Sequence, residues 1–266
     1  MTIRLRTIPR GVRCGGVALS AVAVGVAVPV FEVFLARRSA PRVPGPHVLD
    51  GLLSSGPDPK AVVRCVWLGD SLSAGVGAED ADHAFPRQAA TLLAAQFGCD
   101  VDLVCLAAPG AASADVLANQ VPAAVAMLGP GMTAVVAVGC NDVAQMVRPR
   151  AFRANYVATL EALTATGATV VAVGLPDMGS ATVLAQPLRA IVGWAGRHIT
   201  AIVREVTTDA GAQYVAIGCG PPGEGRRGHR ARALLSADRW HPNGDGYRIW
   251  AALVAAHLLG LNRTPA

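Results

Sequence analysis

Five short runs of apolar residues alternate along the chain with longer segments whose apolar positions recur at helical spacing. The short runs lie at Ala61–Leu68, Val101–Leu106, Thr133–Val138, Thr169–Val173 and Gln213–Ile217. The helical segments lie at Phe85–Phe97, Ala112–Leu128, Phe152–Thr166, Leu188–Ala210 and Asp245–Leu259. Continuous apolar strands that alternate with helices are typical of a parallel sheet with helices on both faces. The pattern therefore predicts a three-layer α/β/α sandwich around a five-stranded parallel sheet.

The amino-terminal segment has a different pattern. Four arginines precede an uncharged, mostly apolar run from Cys14 to Phe31. A basic head followed by such a run is typical of a signal peptide or an uncleaved signal anchor, so we expect an exported protein that is attached to the membrane or cell envelope. The run is near the lower length limit for a membrane span, and a buried core helix is the alternative. We interpret residues 1–40 as this segment, residues 41–60 as a linker rich in proline and glycine, and residues 61–262 as the folded domain.

The composition excludes several classes of protein. Hydrophobic residues make up 52% of the chain and charged residues 15%, which suits a compact domain with a large core rather than a disordered chain. The net charge is +5, but basic residues are not interleaved with aromatic ones, so we expect no nucleic-acid partner. None of the six cysteines belongs to a C-x-x-C pair. We therefore expect no metal and no other cofactor.

Polar residues and glycines follow the ends of several predicted strands. Gly69–Ser71 follows the first strand, Ala108–Gly110 the second and Gly139–Asp142 the third, while Asp238 and His241 follow the fifth after a long loop. Ligands bind outside the carboxyl ends of the strands in sheets of this kind. A strand order of 2-1-3-4-5 would bring the first three loops together, and the long loop would have to reach back across the sheet. We therefore expect a site at this edge.

These residue types suit nucleophilic catalysis. A serine hydroxyl attacks once a base removes its proton, histidine is the usual base, and a carboxylate orients the histidine. Asp238 and His241 are three residues apart, so one turn can hold both. The backbone N–H groups of Ser71 and Gly110 and the side-chain amide of Asn141 can donate to a developing oxyanion. Each residue also has an ordinary alternative as a helix cap, a turn residue or a loop residue.

Four segments resemble, in order and spacing, the sequence blocks of the SGNH, or GDSL-type, hydrolase family. They are Gly69–Leu72 for the nucleophile block, Ala107–Ala111 for the second block, Gly139–Asp142 for G-x-N-D and Asp238–Pro242 for D-x-x-H-P. The resemblance covers about Val62 to Leu259, and the chain is most similar to exported GDSL esterases of actinobacteria. One departure is Cys105, which stands near a position where many members carry asparagine.

The resemblance implies a flavodoxin-like SGNH hydrolase fold and a role for each matched residue. Ser71 would be the nucleophile, His241 the base and Asp238 the residue that orients the base. Ser71, Gly110 and Asn141 would form the oxyanion hole. We expect a serine esterase that hydrolyses small-molecule or lipid esters of short acyl chains through an acyl-enzyme on Ser71. A cell-envelope glycan deacetylase or acyltransferase with the same triad is the first alternative, and a non-catalytic binding module on a membrane tether is the second. Asp142 is interpreted as structural.

Overall fold

The computed structural model describes residues 41–181, 183–217 and 233–258, together with residue 260. The predicted targeting segment, residues 1–40, lies outside these ranges, as does most of the predicted long loop after the fifth parallel strand. No helix within the described ranges is both long and apolar enough to cross a membrane.

The described residues form one sheet of six strands. The strands are β1 (Gly51–Leu53), β2 (Val62–Gly69), β3 (Asp100–Cys105), β4 (Thr133–Ala137), β5 (Thr169–Val173) and β6 (Gln213–Val215). Their order is β1-β3-β2-β4-β5-β6, and the five strands from β2 to β6 are parallel. These five are the predicted strands in the predicted order, with bounds that differ by at most two residues.

The sixth strand corrects both the predicted strand count and the predicted linker. β1 lies within residues 41–60 and pairs antiparallel with β3, with Gly51 opposite Leu103. Leu49 and Leu53 are buried in the core, while Leu52 between them is exposed. The backbone N–H of Cys105 also donates to Asp50 Oδ1 at 2.7 Å. A strand of three residues has too few positions to show an alternating pattern. The surrounding prolines and glycines are typical of a linker, so the sequence did not predict this strand.

Seven α-helices, named in chain order, lie in the described part of the chain, which also contains a short 3-10 helix at Met178–Ser180. They are α1 (Phe85–Phe97), α2 (Ser113–Asp115), α3 (Val121–Val125), α4 (Cys140–Ala144), α5 (Pro149–Thr164), α6 (Leu188–Asp209) and α7 (Gly244–Leu258). The segment predicted as one helix over residues 112–128 is divided, because a π-helical turn at Val116–Gln120 separates α2 from α3. Pro122 explains the division, since a proline inside a regular α-helix loses a hydrogen bond and collides with the carbonyl four residues earlier.

Helices cover both faces of the sheet, as predicted. Successive side chains of a strand point to opposite faces, so Cys65 and Trp67 of β2 join one apolar core and Val66 and Leu68 join the other. The first core includes apolar residues of α1 and α7, and the second includes residues of α3, α5 and α6. The sheet is therefore the middle layer of three. The carboxyl ends of the parallel strands form the edge at which the candidate residues lie.

Candidate active site

The turn after β2 is fixed by a close backbone approach and a side-chain clamp. A Cβ on Gly69 would lie 2.1 Å from the carbonyl oxygen of Ala137 in β4, so only glycine fits there. The carboxamide of the buried Gln120 accepts a hydrogen bond from Gly69 N–H at 2.8 Å and donates one to Gly69 O at 2.9 Å. Both backbone groups of Gly69 are thereby satisfied at the point where the chain leaves the sheet. The sequence carried no sign of the role of Gln120.

Asp70, which is buried, stabilises the part of the turn that follows Gly69. Its side chain is fully buried, and Oδ1 accepts a hydrogen bond from Leu72 N–H at 3.0 Å. The Ser71 side chain between them remains partly accessible. Burial raises the pKa of Asp70 to about 7, although the Leu72 hydrogen bond and the nearby His241 act in the opposite direction. Asp70 Oδ2 has no hydrogen-bond partner among the described residues.

The raised pKa of Asp70 predicts a pH-dependent stability. The folded state binds the Asp70 proton more tightly than the unfolded state, so this contribution is complete below pH 3.8 and is lost as pH rises to about 7 and beyond. A change in pKa from 3.8 to about 7 corresponds to about 4 kcal/mol in the free energy of unfolding. Asp70→Asn keeps an oxygen for Leu72 N–H and has no charge to bury. We expect the variant to be more stable than the wild type at pH 8, and to lose this advantage towards pH 4.

Urea unfolding at pH 4, 6 and 8 measures this difference in free energy. The exposed Asp58 provides a matched control, since Asp58→Asn should change stability equally little at each pH. A difference between Asp70→Asn and wild type that stays constant with pH would show that Asp70 is ionised normally in the fold.

The structure brings Ser71, His241 and Asp238 into one hydrogen-bonded chain. Ser71 Oγ lies 3.0 Å from His241 Nε2, although the two residues are 170 positions apart. His241 Nδ1 lies 2.6 Å from Asp238 Oδ2. A neutral imidazole that donates its Nδ1 proton to Asp238 leaves Nε2 free to accept the Ser71 proton. The three side chains have the arrangement of a serine hydrolase triad.

The Asp238 carboxylate is held as an anion by its local backbone. Oδ1 accepts hydrogen bonds from the N–H groups of Trp240 and His241, both at 3.0 Å. Burial by itself would raise the pKa of Asp238, but the His241 side chain and these two backbone donors outweigh it and the pKa lies below its usual value. Arg239 has φ of +58°, a left-handed conformation that closes the turn between Asp238 and Trp240. The anion can therefore stabilise an imidazolium on His241.

Contacts between the nucleophile loop and the start of α7 set the distance from Ser71 to His241. Tyr247 Oη donates to the carbonyl oxygen of Val76 at 2.6 Å, and Gly244 N–H donates to Glu79 Oε2 at 3.0 Å. Gly77 also lies so close that a Cβ there would be 2.4 Å from the carbonyl oxygen of Pro242. Sequence reasoning missed the roles of Glu79 and Tyr247, because neither belongs to a recognisable motif.

The two other predicted oxyanion residues lie in the segments that follow β3 and β4. Gly110 has φ of +86° in an exposed loop, and Ala108 of that loop donates its N–H to Gly69 O at 3.1 Å. Asn141 is the second residue of α4, and its Nδ2 donates to the carbonyl oxygen of Ala111 at 3.1 Å. An amide has two N–H bonds, so one remains for another acceptor. The loops after β2, β3 and β4 are therefore hydrogen-bonded to one another.

Two cysteines border this site, and neither is an activated nucleophile. Burial, together with the neighbouring Asp70 and Asp142, raises the pKa of Cys140 well above its usual value. Burial also raises the pKa of Cys105 to about 11. A protonated thiol attacks poorly. The Cys105 thiol donates to the carbonyl oxygen of Ser73 at 3.4 Å, so it stabilises the nucleophile loop.

The sequence of this chain matches a protein-family model and is similar to that of a GDSL-like esterase. The GDSL-like lipase/acylhydrolase family model matches residues 67–249, more than half of the chain. A GDSL-like esterase of Mycobacterium tuberculosis is 30% identical over 194 residues, which cover 72% of this chain and 60% of that protein. The chain therefore spans less than two thirds of the length of this relative.

Solved structures show the same fold. TesA has a TM-score of 0.55 at 20% identity, and the match covers 74% of this chain and 99% of TesA. The psychrotrophic esterase EstA of Pseudoalteromonas sp. has a TM-score of 0.55 at 17% identity, covering 74% and 98%. Axe2, an acetylxylan esterase of Geobacillus stearothermophilus, has a TM-score of 0.54 at 16% identity, covering 78% and 96%. The match of the family model over residues 67–249 establishes that the chain belongs to the GDSL-like lipase/acylhydrolase family.

Proposed function

We propose that this protein is a serine esterase that cleaves carboxylic esters through an acyl-enzyme on Ser71. The observation that carries the proposal is the continuous chain from Ser71 Oγ to His241 Nε2 at 3.0 Å and from His241 Nδ1 to Asp238 Oδ2 at 2.6 Å. Membership of a family of lipases and acylhydrolases supports it. A binding module would have no need of a buried carboxylate that orients an imidazole towards a hydroxyl.

The proposed reaction has two halves that use the same residues. Ser71 Oγ attacks the ester carbonyl carbon while its proton passes to His241 Nε2, and the imidazolium is stabilised by the Asp238 carboxylate. The negative charge on the carbonyl oxygen is met by the N–H groups of Ser71 and Gly110 and the amide of Asn141. His241 then protonates the departing alkoxide, which leaves the acyl group on Ser71. Water attacks this ester in the second half, with His241 again as the base, and the carboxylic acid is released.

The acyl group in this proposal is short. A small apolar cavity borders the nucleophile turn at Asp70 and Leu72 and lies between the carboxyl ends of β4 and β5, the start of α1 and the middle of α7. Its volume is about 10 Å³, about the space of a single water molecule. This cavity is too small for any acyl group and is not lined by Ser71 or His241, so it does not select the acyl chain. The proposal of a short acyl group rests on the sequence, which has no long apolar insertion that could form a lid or a tunnel for a fatty acyl chain.

Hydrolysis of p-nitrophenyl esters from acetate to dodecanoate tests both the reaction and the chain length. We expect kcat/KM to be highest for the shortest esters and to fall as the chain lengthens, because the longer chain loses contact with the protein. A maximum at the longest ester would overturn the proposed chain length but leave the esterase assignment intact. Absence of hydrolysis for every ester would overturn the assignment.

A second candidate is removal or transfer of acyl groups on cell-envelope glycans. The exposed loop Ala108–Gly110 favours it, because a bulky alcohol portion can approach an exposed loop without a clash. Axe2, which shares the fold, is an acetylxylan esterase. The same acyl-enzyme would acylate a sugar if a hydroxyl replaced water. Product analysis with candidate sugar acceptors separates the two reactions, since transfer yields an acylated sugar and hydrolysis yields only free acid.

We further propose that the catalytic domain is exported and held at the membrane or cell envelope by residues 1–40. The support is the basic head and the uncharged run from Cys14 to Phe31 in the sequence. Cell fractionation of the full chain should place the protein with membranes or envelope, and removal of residues 1–40 should release it. Recovery of the full chain from the soluble cell interior would contradict this.

The proposed oxyanion hole predicts the effect of removing its side-chain donor. Asn141→Ala should lower kcat by about 10²- to 10³-fold with little change in KM, because the donor acts mainly on the charge that develops in the transition state. Steady-state kinetics with p-nitrophenyl acetate measure both constants. Gln96→Ala is the matched control, since its exposed amide lies on α1 and belongs to none of the segments that carry the candidate site. An Asn141→Ala variant with the same kcat as the control would show that Asn141 is not an oxyanion donor.

A further inference from the structure

The loop that carries Gly110 has little packing of its own. Residues Ala108–Gly110 are exposed, and, its chain neighbours aside, no atom of the described residues lies within 4 Å of the position that a Cβ on Gly110 would occupy. Apart from the long contact of 3.5 Å from Gln145 Nε2 to its carbonyl oxygen, Gly110 is held through the residues on either side of it. Ala108 is tied to Gly69 on one side, so the position of the Gly110 N–H depends on how the residues after it are held.

Asp142 holds the segment that follows Gly110. Its side chain is buried, Oδ1 accepts a hydrogen bond from Ser113 Oγ at 2.6 Å and Oδ2 accepts one from Ser113 N–H at 2.9 Å. Its neighbour Asn141 holds Ala111 through the bond to that residue's carbonyl oxygen. Asn141 and Asp142 of α4 therefore bind Ala111 and Ser113, which follow the loop.

We propose that Asp142 and Ser113 are positioning residues of the oxyanion hole, whose two hydrogen bonds fix the Gly110 N–H relative to the amide of Asn141. The inference rests on the proposed function, because these two residues have a positioning role only if the Gly110 N–H and the Asn141 amide bind the oxyanion. Hydrogen bonds to a carboxylate are stronger than neutral ones, and burial excludes the water that would compete for them. Asn155 Nδ2 donates to Ser113 Oγ at 3.2 Å and so ties the pair to α5.

This role differs from an ordinary contribution to stability in what it predicts for catalysis. Oxyanion donors must lie within a few tenths of an ångström of the developing charge, and a misplacement of about 1 Å costs as much as 10²-fold in rate. Loss of the Asp142–Ser113 contact should therefore lower kcat even in a protein that stays folded. Substrate binding should change little, because neither residue touches the substrate.

The test uses Asp142→Asn, which keeps the size of the side chain, and Ser113→Ala, which removes one buried atom. We expect each variant to lower kcat for p-nitrophenyl acetate by about 10- to 100-fold, with KM within about twofold of wild type. Each is also combined with Asn141→Ala. We expect the fold-loss in kcat of each double variant to be much smaller than the product of the two single losses. Once the Asn141 amide is absent, the exact position of the Gly110 N–H relative to that amide no longer matters.

Leu163→Ala is the control for a purely structural effect. Leu163 is fully buried near the carboxyl end of α5, so its truncation lowers stability without reaching the site. We expect its kcat to stay at the wild-type value in assays well below its unfolding temperature. Where Asp142→Asn fails to fold, Ser113→Ala tests the same contact.

Two results would overturn the inference. The first is a wild-type kcat in folded Asp142→Asn and Ser113→Ala, and the second is a combined loss with Asn141→Ala that equals the product of the single losses. Failure of the proposed oxyanion hole gives a different result, because Asn141→Ala alone would then leave kcat unchanged. The two failures are therefore distinguishable in one set of assays.

Discussion

Ser71→Ala is expected to lower kcat/KM for p-nitrophenyl acetate by about 10⁴- to 10⁶-fold, the loss typical of removing a triad nucleophile. The alanine retains the Cβ and the backbone N–H but has no oxygen to attack the carbonyl. Its fold should be unaffected, because Ser71 Oγ makes its described hydrogen bond to His241 alone. Circular dichroism and thermal unfolding of the variant should match those of the wild type.

Ser73→Ala is the matched control for this loss. Ser73 lies in the same turn, is buried and makes only a long contact of 3.5 Å with the carbonyl oxygen of Leu68. Its variant should retain activity of the wild-type order. Equal activity of Ser71→Ala and wild type would show that the nucleophile lies elsewhere or that the hydrolysis comes from a contaminant.

Asp238→Asn is expected to lower kcat by about 10⁴-fold while leaving the turn in place. The side-chain oxygen of asparagine can still accept the N–H groups of Trp240 and His241, as Asp238 Oδ1 does. Its NH₂ group then faces His241 Nδ1 and can only donate to it. The proton of the neutral imidazole moves to Nε2, and His241 can no longer accept the proton of Ser71.

A pH profile distinguishes this mechanism from misfolding. Activity of Asp238→Asn should recover in part at high pH, where hydroxide ionises Ser71 without His241, whereas a misfolded site recovers at no pH. Asp245→Asn is the control, because Asp245 is exposed and pairs only with the exposed Arg248. An Asp238→Asn variant with wild-type kcat at neutral pH would show that the 2.6 Å contact has no catalytic role.

The parallel strands could be predicted because each is a continuous apolar run buried on both faces. Trp67 and Leu68, on opposite faces of β2, are both fully buried, so neither face contributes polar residues that would obscure the run. The sequence blocks around Ser71 and His241 were recognisable because their residue types and spacing are uncommon in combination. β1 could not be predicted, since three residues at a sheet edge carry almost no pattern.

The contacts that position the candidate residues also could not be predicted from the sequence. Gln120 reaches Gly69 across 51 residues, and Glu79 reaches Gly244 across 165. Each is a polar residue whose partner is a backbone group, so the partner's identity leaves no trace in the sequence. The sequence predicts a structural role for Asp142, but only the folded chain shows that its side chain binds Ser113. Motifs identified the candidate catalytic residues, and the tertiary structure was needed to find the contacts that align them.

Covalent labelling with a fluorophosphonate tests most directly whether Ser71 is an activated nucleophile. The probe reacts with a serine whose proton is accepted by a neighbouring base, so we expect one adduct per chain, located by mass spectrometry on the peptide that contains Ser71. The adduct should be absent from Ser71→Ala and strongly slowed in Asp238→Asn. An unlabelled wild-type protein that still hydrolyses esters, or an adduct on a different residue, would contradict the proposed mechanism.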